Sequence, residues 1–214
     1  MPHTLSPHVL KQVMNRYLEY STYIDWQHPS ISTLAKQLRA SANNELATAK
    51  NCFEYVRDEI RHSVDYKVDI ITCKASDVLA HTTGYCYAKS HLLAALLRAN
   101  GIAAGLCYQR LSVQGDGAPY CLHGLNAVYL QYYGWYRIDP RGNKPGVNAQ
   151  FSPPHEQLAF ATCDKLEADL QGIWPSPLPV VTDVLERYST YTDVLNNLPD
   201  IALFTTTCAQ PLPQ

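Results

Sequence analysis

Apolar residues in the first third of the chain recur at three- and four-residue intervals. Residues 7–20, "PHVLKQVMNRYLEY", set Val9/Leu10, Val13/Met14 and Tyr17/Leu18 on one stripe, which predicts an amphipathic helix. Ser30 reads as the cap of a helix through "ISTLAKQL". Ser41 reads as the start of a longer one carrying Leu46, Ala49, Cys52/Phe53, Val56 and Ile60 on one face. "SVDYKVDIITC" is β-like and short, and predicts a strand. Past Gly84 the pattern becomes apolar all round: Leu92, Leu93, Leu96 and Leu97 predict a buried helix that stops at Gly101.

The period then changes. "IAAGLCYQRLSV", "CLHGLNAVYLQYY" and "WYRID" are rich in β-branched and aromatic residues and are separated by "QGDG" and by Gly134, which predicts an antiparallel meander. Beyond residue 150, "SPPHEQLAFATCDKLEADL" and "VTDVLERYSTYTDVLNNL" predict helices on either side of "WPSPLP". Helices first and consecutive strands later indicate an α+β fold. We expect one domain over residues 1–150, its core at about 45–145, with a helical, Pro-rich extension over 151–214 packed on the same domain.

Composition narrows the classes of function. Hydrophobic residues at 46% and charged ones at 17% fit a folded globular chain. With 17 Lys+Arg against 19 Asp+Glu and no basic stripe, nucleic acid is not an expected partner. No apolar run nears the ~20 residues of a membrane span and no leader pattern is visible, so a cytoplasmic protein without a membrane partner is expected. Seven cysteines without a C-x-x-C pair agree with reduced, buried thiols. They also lack the close pairs of a structural zinc site, and His3 and His8 alone approach an H-x₃₋₅-H form, so neither metal nor cofactor is expected.

One thiol stands out. Cys86 lies where "HTTGY" meets the apolar helix, and the free amides of a helix N-terminus favour a thiolate. A cysteine at a helix start is more often a small buried hydrophobe. A nucleophile needs a base within reach and a third group to orient that base. His123, on the first strand after the long turn, and Asp139, ending the strand "GWYRID", supply candidates. Arg141, two residues further on, could meet a substrate carboxylate, although an ion-paired arginine is the commoner case.

"TTGYCYAKSHLLAALLRANGIAAGLCYQRL", "HGLNAVYL" and "GWYRIDPRGN", in that order, resemble the core of the transglutaminase-like superfamily, and "AKNCFEYVRDEIRHSVDY" resembles its preceding helix and strand. The resemblance implies a papain-like core: N-terminal helices, a nucleophilic Cys at a helix N-terminus, and an antiparallel sheet behind it. It further implies Cys86 as nucleophile, His123 as general base and acid, and Asp139 as orienting carboxylate. The activity would be a cysteine-dependent hydrolase or acyltransferase on amide bonds of a peptide, protein or small amide. An oxyanion would rest on the Cys86 backbone N–H and an upstream donor, for which Tyr66 in "SVDY" is the candidate. Leu125 stands where the family often has Trp, a departure that leaves open a non-catalytic peptide- or protein-binding module. An acyl carrier enzyme of the arylamine acetyltransferase kind would share the triad, but no coenzyme A site is visible.

Overall fold

The computed structural model describes residues 12–115 and 117–203. Residues 12–15 are helical and run into a 3-10 turn at Arg16–Leu18. The rest of the first predicted helix, with His3 and His8, falls outside the described residues. Helix α1 (Pro29–Ala40) starts two residues before the predicted "ISTLAKQL": Pro29 takes the first helical position and His28, not Ser30, is the cap. Ser41 closes α1 rather than opening the next helix, its Oγ donating to Leu38 O at 3.1 Å. Helix α2 (Glu45–Glu59) begins instead at Asn44, whose Oδ1 accepts from Ala47 N at 2.8 Å.

The short strand expected in "SVDYKVDIITC" does not form. A two-residue strand β1 (Arg61–His62) is followed by a single helical turn α3 (Ser63–Tyr66) and by irregular chain up to α4 (Ala75–His81). Strand β2 (Thr83–Gly84) runs parallel to β1 with His62 opposite Gly84, and leads into α5 (Cys86–Ala99). Every residue from Cys86 to Arg98 is buried, which is why this helix lacks a polar face. It packs on α1, α2 and α4 and, across the core, on β3 (Ala104–Ser112) and β4 (Tyr120–Leu130). Leu92, Leu93, Leu96 and Leu97 are completely enclosed, and each contributes roughly 1.5–3 kcal/mol by burial. Gly101, at a φ of 76°, turns the chain out of the helix and into β3.

The sheet order is β5-β4-β3-β8, antiparallel throughout, with β5 at Gly134–Ile138 and β8 at Ala168–Asp169. This is the expected meander with one strand added from the C-terminal region. Residues 152–170 do not form the predicted helix: a small hairpin of β6 (Gln150–Ser152) with β7 (His155–Gln157) is followed by turns that reach β8. Strand β4 is covered on both faces: Leu122 and Val128 join the main core, whereas Leu125 and Ala127 pack with Cys107 against Leu158 and Ile173. The last predicted helix divides into α6 (Pro179–Arg187) and α7 (Tyr191–Asn196).

Candidate active site

Tyr85, extended and without a side-chain cap on the helix, delivers Cys86 as the first residue of α5. The amides of that first turn have no partner inside the helix, which leaves them free for the thiol or for a bound oxygen. Cys86 is 7% exposed and lies in a cleft of about 480 Å³. His123 approaches from β4 and lines the same cleft as Cys86. Its Nε2 is 2.8 Å from Asp139 Oδ2, so Nδ1 is the ring nitrogen left for the thiol.

Asp139, just beyond the end of β5, is completely buried. Its Oδ2 also accepts from Ala159 N at 3.0 Å and its Oδ1 from Arg141 N at 3.1 Å. Burial would raise its pKa, yet the His123 charge and these donors outweigh burial and hold the carboxyl below its ordinary value. For His123 the balance tips the other way: burial opposes the charged ring, but the charge of its Asp139 partner is the foremost of the influences that raise its pKa to about 10. The electrostatics favour an imidazolium beside the Asp139 carboxylate. Phe160 stands edge-on to the ring at a centroid distance of 5.0 Å and helps to fix its plane.

Gly124 contributes two things. Its backbone N–H donates to Cys86 Sγ at 3.5 Å. Its missing side chain is equally required, because a Cβ there would sit 3.1 Å from Tyr87 Cα and 3.3 Å from Tyr87 N. Glycine lets β4 approach the first turn of α5 this closely without pressing on it.

The cleft has walls of different character. Asp65, Arg141 and Lys144 form one: Arg141 Nη1 and Lys144 Nζ each reach Asp65 at 2.6 Å, so Arg141 is ion-paired, as its commoner role suggested. Leu111, Val113, Leu195 and Leu198 form an apolar one. The last two come from the C-terminal segment, held by Leu122 N donating to Pro199 O at 2.7 Å and by the Arg110–Asp200 pair. Below the first turn of α5, Lys89 is fully enclosed and donates to the carbonyls of Ile60 and Arg57, which welds the chain leading into β1 to the helix that begins at Cys86.

Cys86, His123 and Asp139 are thus brought together. Tyr66 is not: it is 63% exposed, lies at the end of α3 beneath the Arg61 guanidinium, and does not line the cleft. Leu125 is buried on the far face of the sheet and forms no part of the cleft wall. His91 is buried with Nδ1 2.7 Å from Cys73 O, and Cys107 is separated from Cys121, which lines the cleft. Among the described residues no group of three or more His, Cys, Asp or Glu is arranged to hold a metal, and no helix is long and apolar enough to cross a membrane. The residues that sequence reasoning missed are His62, Lys89 and Ala159. Lys89 alone left a trace, a charge one turn from the thiol in an otherwise apolar helix.

The transglutaminase-like superfamily model matches residues 32–140, just over half of the chain, and the protein belongs to that superfamily. Membership supports a site of the cysteine-enzyme type. Among solved structures, a candidate cysteine protease from Cytophaga hutchinsonii shares 17% identity over 64% of this chain and 45% of its own, with a TM-score of 0.50. The periplasmic domain of TgpA from Pseudomonas aeruginosa shares 20% identity over 61% of this chain and 47% of its own, with a TM-score of 0.46. The chain therefore spans less than half the length of these structures. At such identity the first likeness speaks for the fold alone. A comparison with curated proteins finds no match.

Proposed function

We propose that the protein is a cysteine-dependent hydrolase of amide bonds, with Cys86 as nucleophile, His123 as general acid and base, and Asp139 as the carboxylate that orients the imidazole. The observation that carries this reading is the Asp139–His123 hydrogen bond set in the same open cleft as Cys86 at the first position of α5. The Cys86 thiolate adds to the carbonyl carbon of a peptide or carboxamide. His123 then passes its proton to the departing amine as the C–N bond breaks, which leaves an acyl thioester on Cys86. Water, giving a proton to His123, attacks the thioester and releases the carboxylic acid and the thiolate.

An amine in place of water would make the same site an acyltransferase. Hydrolysis is preferred because none of the groups lining the cleft is required to recruit an amine and water is always present. The thiols of the described cysteines are free, which suits a reducing compartment such as the cytoplasm. Leu125 lies away from the cleft, so the departure that hinted at a pure binding module has no bearing on the site.

Iodoacetamide at pH 6, where ordinary thiols react slowly, should label the wild type at Cys86 and leave Cys86→Ser unlabelled there. Equal labelling of the two would sink the proposal. A screen of peptides, glutamine-containing proteins and small amides against the same pair would then identify the substrate.

A further inference from the structure

His62 is 8% exposed, lines the cleft together with Cys86 and His123, and its Nδ1 is fully enclosed without a hydrogen-bond partner. The nearest carboxylate oxygen, Asp65 Oδ2, is 4.0 Å away and already engaged by Arg141. An N–H enclosed at Nδ1 with no acceptor within hydrogen-bond reach would go unsatisfied, which favours the neutral tautomer that carries its one proton on Nε2. With Nδ1 enclosed, the ring edge that meets the cleft is the one bearing Nε2.

The position is also tightly held. His62 pairs with Gly84 two residues before the thiol, Lys89 secures the Ile60 carbonyl, and Thr83 Oγ1 donates to Arg61 O at 3.2 Å. Tyr85 stands edge-on to the ring at 5.7 Å. Burial first, and the Arg141 charge after it, lower the His62 pKa well below the ordinary value, so at neutral pH the ring is uncharged and has a single N–H to give. Opposite it, the first turn of α5 has no side-chain cap.

Building on the reading of Cys86 as a nucleophile, we propose that His62 donates from Nε2 to the oxyanion formed when the thiol adds to a carbonyl, completing a hole whose other donor is the Cys86 backbone N–H. This gives His62 the role that the sequence suggested for Tyr66. It also separates the two histidines of the cleft: His123 moves protons, and His62 keeps its own while holding the oxygen.

Two reactions of the same sulfur distinguish this role from a structural one. Iodoacetamide alkylation forms the S–C bond as iodide leaves a saturated carbon, and no oxyanion arises. With p-nitrophenyl acetate the thiolate adds to the carbonyl, the oxyanion collapses, and p-nitrophenolate leaves as Cys86 becomes the acetyl thioester. His62→Phe keeps the ring against Tyr85 and removes the donor, whereas His62→Gln keeps an N–H; Cys86→Ser measures the background from other thiols. In His62→Phe we expect acylation of Cys86 to fall on the order of 10²-fold, alkylation to stay within about twofold of the wild type, and Gln to recover part of the acylation rate. Unchanged acylation in His62→Phe, or a parallel fall of both reactions, overturns the proposal. Should Phe abolish cooperative melting, His62→Leu serves for the same pair of rates. A wild-type Cys86 that reacts with neither reagent faster than free cysteine overturns the reading of the site itself, and the role of His62 with it.

Discussion

Gly124 donates its backbone N–H to Cys86 Sγ at 3.5 Å, from a strand that comes so near that a single added methyl group would press on the Tyr87 backbone. Gly124→Ala must therefore part β4 from the start of α5. The expected cost is about 1–3 kcal/mol of overpacking, visible as a lower melting temperature. Alkylation of Cys86 at pH 6 should slow as well, by roughly tenfold for each 1.4 kcal/mol of thiolate stabilisation lost. Normal melting with normal alkylation would show that the close approach is dispensable.

Asp139→Asn keeps the shape of the orienting group and removes its charge. The carboxylate is the foremost influence raising His123, so the imidazole should lose its proton at a lower pH in the variant, which a nitrogen NMR titration of the ring would follow. Acyl turnover should fall on the order of 10²–10⁴-fold. An unshifted titration would mean that the carboxylate is not what holds the proton on the ring.

Lys89 and His123 impose opposite slopes of stability on pH. The folded His123 pKa of about 10 lies above the ordinary 6.5, so between those values only the folded state carries the proton and stability falls as pH rises. Burial, then the Arg141 charge, lowers Lys89 to about 7 from the ordinary 10.5; between these values the unfolded state carries the extra proton and stability rises with pH. Each slope is about 1.4 kcal/mol per pH unit, and they largely cancel. In Lys89→Met the urea midpoint should decline from pH 7 to 9.5 relative to wild type, and in His123→Gln it should climb. Parallel curves for all three proteins would contradict both assignments.

Asp200 grips Arg110 through two contacts of 2.7 Å and so pins the segment that brings Leu195 and Leu198 to the cleft. The pair is partly exposed, so Asp200→Ala should cost less than about 1 kcal/mol of global stability. Its effect should be local: faster hydrogen exchange at the Leu122 amide, which donates to Pro199 O, and a KM raised several-fold with kcat little changed. Unaltered exchange at Leu122 would show that the segment stays in place without its clasp.

The parts of the site legible in the sequence are those announced by their immediate neighbours. Cys86 follows a glycine turn and opens an apolar helix, while His123 sits on a strand with clear β character and Asp139 directly follows another. His62 and Ala159 act through contacts with distant elements, and no local pattern marks such contacts. The segment from 152 to 170 departs from the expected helix for a physical reason: Leu158 packs against the far face of the sheet and Phe160 against the His123 ring, a two-residue alternation of extended chain that is fixed by distant partners. Ser41 shows an ambiguity on a smaller scale, since a hydroxyl can close one helix as readily as open the next.

Strand β4, covered on both faces, has a consequence for the chain during its own synthesis. The thiol at residue 86 leaves the ribosome long before Ala159 is available to the carboxylate or Pro199 to the cleft wall. A nascent chain thus exposes Cys86 before the Asp139 carboxylate has all its donors and before the cleft has its apolar wall, and on the proposed function its reactivity would be withheld until the later residues have been made and have folded back across the sheet.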